Sequence, residues 1–241
     1  MRPIMLIARR ELAGYLRSWS GYIIIAAMLA LDGLLFNAFA LGGPDKRSAE
    51  VLNQFLYYSS GIHMTAAVLI SMRLLAEERQ IGTLALLYSS PVRDGEIIVG
   101  KYLSGLAFLA IFSLATLFMP AMIMIHGKVS IGHVVGGYLG LMLIGSAALS
   151  IGVFGSSLAK NQVVAAIISG CMVVGMLVAW MLGRVTERPF SDIFTALALH
   201  GLHFQAFQSG IVHLRDVVYY LAVTYVFLFA ATRVLEARRW R

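Results

Sequence analysis

The stretch Met72–Tyr102, MRLLAEERQIGTLALLYSSPVRDGEIIVGKY, decides how the chain is organised. It holds a charged cluster, a glycine, a short apolar run and a proline, and it separates two longer apolar runs. Gly82 interrupts a helix, Thr83 is a residue that caps a new one, and Pro91 prevents that new helix from running on. The stretch therefore predicts a short, rather apolar helix held between two membrane-spanning helices.

Composition places most of the chain in a membrane. The 241 residues are 59% hydrophobic and 13% charged, whereas soluble domains are about 45–50% apolar and about 25% charged. Six apolar runs reach the roughly 20 residues that a spanning helix needs, so no soluble catalytic domain of ordinary size fits in the remainder. We predict an all-α integral membrane protein, a single domain over residues 1–241. The six predicted spans are Trp19–Ala40, Phe55–Ala76, Ile97–Ile125, Ile131–Leu158, Val163–Leu182 and Val217–Val234.

Residues 2–17 predict an amphipathic helix that lies in the membrane interface. On a helical wheel Arg2, Arg9, Arg10 and Arg17 share one wedge, and apolar side chains occupy another sector. A helix of this kind lies flat in the interface, although a simple basic anchor that only sets topology is the alternative. Most of the 19 Lys and Arg residues flank the same side of the predicted spans as this helix, so both termini are predicted to be cytoplasmic.

The connection at 183–216 lies on the other side and is too long for a plain turn. Its apolar and aromatic sequence is broken by Gly201 and Gly210, so it is too interrupted to span. We predict short re-entrant helices before the last span, because irregular backbone at membrane depth must be shielded by protein. A loop lying on the membrane surface is the alternative.

The segment Gly95–Tyr102, GEIIVGKY, comes close to the phosphate-binding loop G-x-x-x-x-G-K-[ST]. That loop needs Ser or Thr after the lysine to hold magnesium, and Tyr102 stands there instead. It also needs free backbone N–H groups, whereas EIIV is the apolar start of a span. We therefore predict no ATP binding here and interpret Lys101 as an interfacial anchor whose charge reaches out to the cytoplasmic surface.

The stretch that opens this section resembles a known family. Its pattern E-E-R-x-x-G-T-L-x-L-L-x-x-S-P-V, followed by G-K, is similar to that of the permease subunits of ABC-2 type transporters. The start ARRELAGYLRSWSGYIIIA, the end VVYYLAVTYVFLFAATRVLEARRWR and the segment HFQAFQSGIVHLRD resemble the gliding-motility-type branch of that family, so the likeness covers nearly the whole chain. The residues of the central pattern are Glu77, Glu78, Arg79, Gly82, Thr83, Leu84, Leu86, Leu87, Ser90, Pro91, Val92, Gly100 and Lys101.

The resemblance implies an architecture and a set of partners. It implies a cytoplasmic coupling helix between spans two and three, within residues 77–95, by which each protomer docks on a cytoplasmic ABC ATPase. A second permease protomer, identical or related, pairs with the first, and a periplasmic accessory subunit is left open. ATP and Mg²⁺ belong to the partner ATPase, so this chain carries no cofactor and no catalytic site. The chain would be a multi-pass protein of the bacterial cytoplasmic (inner) membrane that contacts lipid and no nucleic acid.

Carried over residue by residue, the resemblance assigns a docking surface. The acidic pair at its start offers charge-assisted contacts, and the N-terminal helix lies beside it. On composition alone, the apolar run is also compatible with a re-entrant loop packed against the chain's own spans. The predicted docking and coupling residues are Glu77, Glu78, Arg79, Gly82, Thr83, Leu84, Leu87, Ser90 and Pro91, and those of the interfacial helix are Arg9, Arg10, Glu11 and Arg17.

Polar residues within the spans are further candidates. Asp32 lies inside span one, where a carboxylate is costly and by default functional. Together with Asn37 it predicts a translocation path, unless Asp32 lies hydrated near the outer end. The outer histidines His200, His203 and His213 have no acidic or cysteine ligand at a matching offset, so no metal site is predicted.

Small residues in span four predict close helix packing. Gly136 and Gly140, and likewise Gly152 and Ser156, have the small-x-x-x-small spacing that lets two helices approach. We predict that these contacts lie within one protomer.

Two functions of different classes are consistent with the sequence. The first is the membrane subunit of an ATP-driven transporter, which couples ATP hydrolysis by a separate ATPase to export or conformational work and is not itself an enzyme. The alternative is a non-transporting scaffold that transmits motion in a motility or envelope complex. Polar residues on inward faces are sparse, which leaves both open. An intramembrane enzyme that uses His63 lacks a paired nucleophile and base.

Overall fold

The computed structural model describes residues 2–41, 47–83 and 92–239, and this part of the chain is helical with no strand. A π-helical turn, Phe36–Ala40, continues the second helix. The helices are α1 (Arg2–Arg17), α2 (Trp19–Leu35), α3 (Ser48–Leu74), α4 (Ala76–Ile81), α5 (Asp94–Thr116), α6 (Phe118–His126), α7 (Ile131–Leu158), α8 (Gln162–Val185), α9 (Phe190–Leu197), α10 (Leu202–Gln208) and α11 (Leu214–Arg239).

Within the described residues, six helical segments are long and apolar enough to cross a membrane. The predicted all-α fold and number of spans are confirmed. The bounds of spans 1 to 6 are Trp19–Ala40, Ser48–Ile81, Asp94–Ile125, Ile131–Leu158, Gln162–Val185 and Leu214–Arg238.

Span 2 differs most from its predicted bounds, because it begins at Ser48 rather than Phe55. The added turns contain polar residues that a hydropathy argument excludes, yet Leu52 within them is fully buried. Glu50 accepts a hydrogen bond from the backbone N–H of Arg47 at 3.4 Å, which satisfies a free donor at the helix start. Helix geometry therefore continues beyond the apolar run.

The centre of the bundle is formed by spans 2 and 4, which pack against each other along their length. Spans 1, 5 and 6 lie outside them and expose most of their apolar side chains. Helix α1, the end of span 2, the start of span 3 and the end of span 6 meet on one side, which we name the termini side. Arg79 and Arg238 both bind backbone carbonyls at the end of span 4 there, at 3.2 Å (Ser157) and 3.0 Å (Leu158).

Helices α9 and α10 occupy the long connection that the sequence predicts to contain short helices. The hydroxyl groups of Tyr219 and Tyr220 on span 6 donate to the carbonyls of Leu197 and Leu199, at 3.0 and 2.8 Å. These bonds hold the end of α9 and the chain after it against span 6. Two short helices before the last span are thus observed, and their re-entry into the membrane stays a prediction.

The small residues of span 4 make the close contacts that their spacing predicts. A Cβ atom on Gly152 would lie 1.9 Å from Ser71 Oγ and 2.5 Å from Ser71 Cβ on span 2. A Cβ atom on Gly140 would lie 2.4 Å from the Cβ of Phe207 on α10. Both positions need glycine because the contacts include the Cβ atom of the neighbouring residue, which side-chain rotation cannot move away.

We expect Gly152→Ala to destabilise the protein by about 1–3 kcal/mol, the usual cost of overpacking a closely packed interior. The measurement is the thermal unfolding midpoint of the purified protein in detergent. Gly175→Ala on span 5 is the matched control, because a Cβ atom there meets nothing within 4 Å. Equal midpoints for the two variants would show that spans 2 and 4 do not meet at Gly152.

Candidate functional site

Lys101 is buried at the centre of the termini side. Its side chain is 1% exposed, and its Nζ lies 2.8 Å from Glu78 Oε1 and 3.2 Å from Glu11 Oε1. The sequence-based interpretation of Lys101 as a surface anchor is therefore wrong. The ammonium group turns inward because two carboxylates from other helices reach it, and we name these three residues the Glu11–Lys101–Glu78 triad.

Gly100, the residue before Lys101, is the point at which α1 rests on span 3. A Cβ atom on Gly100 would lie 2.9 Å from the Cβ of Ile7 and 3.0 Å from the carbonyl oxygen of Ile4. Any larger residue would lift α1 away from span 3. In the Gly-Lys pair that resembles part of a phosphate-binding loop, Gly100 thus lets α1 approach span 3, and Lys101 binds α1 through Glu11.

The triad joins three elements that lie far apart in the sequence: α1, the end of span 2 and the start of span 3. Burying a lone ammonium or carboxylate is costly, and the cost is offset only when partners are close. Removing one member of such a group leaves an uncompensated charge, typically at a cost of about 3–5 kcal/mol. The triad therefore fixes the relative positions of its three helices.

A second contact set lies beside the triad and also links α1 to span 2. The hydroxyl of Tyr15 donates to the carbonyl of Ile70 at 2.8 Å, and its ring packs 5.2 Å from that of Phe108. The guanidinium of Arg73 lies 5.5 Å from the centroid of the Tyr15 ring, and its Nε lies 2.7 Å from Glu77 Oε2. Burial raises the pKa of Tyr15 well above its ordinary value, so the phenol stays a hydrogen-bond donor.

The end of span 2 is broken at Leu75, and span 4 supports the break. The hydroxyl of Ser156 accepts hydrogen bonds from the backbone N–H groups of Leu75 and Ala76, at 3.2 and 3.0 Å. Beyond the break, Arg79 donates to the carbonyl of Ser157 at 3.2 Å. Glu77, Glu78 and Arg79, which were predicted to face a partner, are thus each bound to groups of this chain.

Gly82 ends α4 in the left-handed conformation, with φ at +81°. This backbone conformation favours glycine, and it agrees with the predicted interruption. The hydroxyl of Thr83 donates back to the carbonyl of Glu78 at 3.3 Å. Four further predicted docking residues lie outside the described residues: Leu84, Leu87, Ser90 and Pro91.

The predicted interfacial helix exists as α1, and its charged residues divide into two groups. Arg9, Arg10 and Arg17 are exposed, whereas Glu11 is half-buried in the triad. The buried face of α1 includes Ala8 and packs on span 3. The position of α1 in a membrane interface stays a prediction.

Asp32 lies buried between spans 1 and 2, at 1% exposed, rather than hydrated at an outer end. Its Oδ2 accepts a hydrogen bond from Ser59 Oγ at 3.0 Å. His63 continues the polar chain: its Nδ1 donates to the carbonyl of Ser59, and its Nε2 accepts from Ser113 Oγ, both at 2.8 Å. Polar groups therefore link spans 1, 2 and 3 inside the bundle.

The two predicted path residues differ in exposure, because Asp32 is buried and Asn37 is exposed on span 1, and the translocation path stays a prediction. Ser113 and His63, in contrast, form a hydroxyl–imidazole pair that the sequence did not reveal. Since these two side chains are 4% and 0% exposed, the pair has no access for a substrate. It serves as a structural hydrogen bond between spans 2 and 3.

The outer histidines are separated by their contacts. His203 Nδ1 lies 2.8 Å from Asp216 Oδ1 at the start of span 6, so it has an acidic partner that the sequence spacing did not reveal. His200 lies 2.9 Å from the hydroxyl of Ser60 on span 2. Across the described ranges, no group of three or more His, Cys, Asp or Glu side chains is arranged to hold a metal ion.

We expect Lys101→Met to destabilise the protein by about 3–5 kcal/mol, because Glu11 and Glu78 are then left without a counter-charge. Unfolding midpoints in detergent give the size of the effect. Adding Glu78→Gln should restore part of the loss, since one uncompensated carboxylate is removed, and the double-mutant cycle gives the coupling energy. Lys160→Met is the matched control, because Lys160 is exposed on the same side. A coupling energy of zero would contradict the triad.

Comparison with known proteins identifies the family. The profile of the family described as ABC-2 family transporter protein matches residues 5–239. No curated protein matches the chain. The gliding-motility-type branch stays a prediction. Because the match takes in α1, all six spans and the stretch between spans 2 and 3, the chain belongs to the ABC-2 family of transporter proteins and is a multi-pass membrane component of that kind.

Proposed function

We propose that this chain is the permease subunit of an ATP-driven transporter whose ATP and Mg²⁺ are bound by a separate cytoplasmic ATPase. Family membership over nearly the whole chain supports the transport role. The observation that carries the coupling role is the Glu11–Lys101–Glu78 triad, since it clamps the two helices that flank the predicted coupling segment. A segment held at both ends by one buried charge cluster is suited to transmit a displacement into the spans.

The proposed coupling path starts at the segment between Gly82 and Val92. The partner ATPase closes on ATP and displaces this segment. The end of span 2 and the start of span 3 then move together, because Lys101 binds Glu78. Arg79 passes the movement to the end of span 4 through the carbonyl of Ser157, and switching of packed helices between two arrangements changes access across the membrane.

The proposed roles of the acidic pair differ from a simple docking surface. Glu77 is bound to Arg73 and Glu78 to Lys101, and both carboxylates are mostly buried. They therefore act as positioning residues behind the docking segment. Direct contacts to the ATPase fall to the apolar residues Leu84 and Leu87.

We further propose that the termini side is cytoplasmic and that the membrane is the bacterial inner membrane. Arg9, Arg10 and Arg17 of α1 are exposed on that side, and Lys and Arg near short connections favour the cytoplasmic face. Two protomers, identical or related, pair through the outer spans, whose apolar faces are the least covered by this chain.

The non-transporting scaffold is the second candidate, and one observation favours it. Asp32, one of the two predicted path residues, is buried within the protomer at 1% exposed, so its carboxylate is not presented to a cavity. Under this alternative the same coupling path ends in mechanical work on outer partners. ATPase activity that rises with added cargo would favour the transporter.

We expect the tagged chain to co-purify with an ABC ATPase from native membranes, and Leu84→Asp to abolish this by placing a charge in the apolar docking segment. Co-purification is measured by mass spectrometry of the eluted chains. Val212→Asp is the matched control, an exposed apolar residue on the side opposite the termini.

Lys101→Met separates positioning from docking in the same experiment. We expect this variant to retain the ATPase but to lose the link between ATP hydrolysis and movement of the spans. Recovery of no ATPase with the unchanged chain would refute the proposed function and the coupling path that both candidates share.

A further inference from the structure

Asp32 is a carboxyl group that the bundle buries without a counter-charge. It lies within span 1 (Trp19–Ala40) and is 1% exposed. Among the described residues it forms no ion pair, and one neutral hydroxyl, that of Ser59, donates to its Oδ2 at 3.0 Å. Its Oδ1 has no hydrogen-bond partner in the same part of the chain. An ionised Asp32 would therefore hold a bare negative oxygen inside the bundle.

Two other carboxyl groups of the spans differ from Asp32 in this respect. Glu78 Oε1 lies 2.8 Å from Lys101 Nζ. Asp216, which is also 1% exposed, has its Oδ1 2.8 Å from His203 Nδ1. At both positions a nitrogen of a basic side chain compensates the buried carboxylate, and at Asp32 no such group does.

The described groups that face Asp32 from neighbouring elements are neutral. On span 2, His63 is 0% exposed and both of its ring nitrogens bond neutral groups at 2.8 Å, so its imidazole is neutral too. On span 4, Tyr138 lies within electrostatic range, and its phenol shares a hydrogen bond with Thr116 at 3.0 Å. From α6, the apolar Met119 packs against the next residue of span 1. None of these groups offers a positive charge to Asp32.

The neutral acid fits this environment better than the carboxylate. A bare carboxylate in a protein interior costs far more free energy than the protonated form, so a buried carboxyl group without a cation keeps its proton. The hydrogen bonding agrees with this form. Oδ2 is then the carbonyl oxygen that accepts from Ser59, and Oδ1 carries the proton. Ionisable groups buried within membrane spans commonly bind and release protons.

We propose that Asp32 is a proton-binding site and that its proton holds span 1 against span 2. With the proton bound, the hydrogen bond between Ser59 and Asp32 joins the two spans without burying a charge. With the proton lost, the charged carboxylate favours water over this contact, so the packing of span 1 on span 2 weakens. The site belongs to this chain alone and does not depend on a partner ATPase.

Infrared spectroscopy detects the proton directly, because a protonated carboxyl group has a C=O stretching band that a carboxylate lacks. The full-length chain is purified in a maltoside detergent, which has no ester or acid group, and its aspartate side chains are labelled with ¹³C. At about pH 7, where exposed carboxyl groups are ionised, we expect a carboxylic-acid band that shifts with the label and is lost in Asp32→Asn. Asp192→Asn is the matched control and should keep the band, because the Asp192 side chain is 69% exposed.

Ser59→Ala assigns the band without replacing Asp32, and it keeps the test valid if Asp32→Asn does not fold. Removing the donor to Oδ2 should move the band to higher frequency and keep its intensity, because the carbonyl of the acid loses its hydrogen bond. Thr65→Ala is the control on the same span. The Thr65 hydroxyl is exposed and donates to the carbonyl of Gly61 in its own helix, so the band should not move.

The proton also makes stability depend on pH. The folded chain keeps a proton that the unfolded chain releases above about pH 4. Stability therefore falls as the pH rises, until the folded chain releases the proton as well. Between about pH 5 and about pH 8, we expect the thermal unfolding midpoint of the parent to fall by about 5 °C more than that of Asp32→Asn. Asp192→Asn should follow the parent.

Three outcomes would overturn the proposal. Absence of a carboxylic-acid band in the parent would show that Asp32 is ionised and that a protonated His63 balances it. A band that stays in Asp32→Asn, or that does not move in Ser59→Ala, would belong to another aspartate. Equal pH dependence of the parent and Asp32→Asn would show that the proton does not hold the two spans together. The chain is tested without an ATPase, so none of these outcomes bears on the proposed transport function.

Discussion

The buried ammonium group of Lys101 is the constraint on which the termini side depends. In an interior of low dielectric a charge must find its counter-charges within the protein. Here they come from Glu78 and Glu11, each on a different helix, so neutralising one group fixes three elements at once. Gly100 permits the approach that makes the pairing reachable. Gly100 thus sets the distance between α1 and span 3, and the adjacent Lys101 binds α1 through Glu11.

The same rule, applied to the backbone, accounts for the broken end of span 2. A helix within a membrane can be interrupted only where neighbouring protein groups satisfy the freed N–H groups, and Ser156 does this for Leu75 and Ala76. Ser59 and His63 likewise satisfy one another and Ser113 inside the bundle. Asp32 is satisfied only in part: its Oδ2 accepts from Ser59, whereas its Oδ1 is one of several buried polar atoms that have no hydrogen-bond partner among the described residues.

The fold follows from sequence further than the site does, for a physical reason. Apolar length and helical periodicity are local properties, so the six spans and α1 can be predicted from the sequence. The close contact of Gly152 can also be predicted, because it follows from the spacing of small residues along one helix. The Lys101 pairing depends on which acids two other helices present, and no local pattern encodes that. The one sequence signal for this pairing is the position of Lys101, a lysine one turn inside an apolar span in a chain with few acidic residues. Hydropathy does not predict span ends such as Ser48, because helical turns with polar residues extend the helix beyond its apolar run.

Span 2 connects the two regions of the molecule, since it carries Glu78 near one end and Tyr57 near the other. Its break at Leu75 lies between them, so movement of α4 is absorbed there unless another element carries it on. Ala76 packs against Ala165 at the start of span 5. Under the proposed coupling path, a displacement at α4 would therefore pass to span 5 through this contact as well as to span 4 through Arg79.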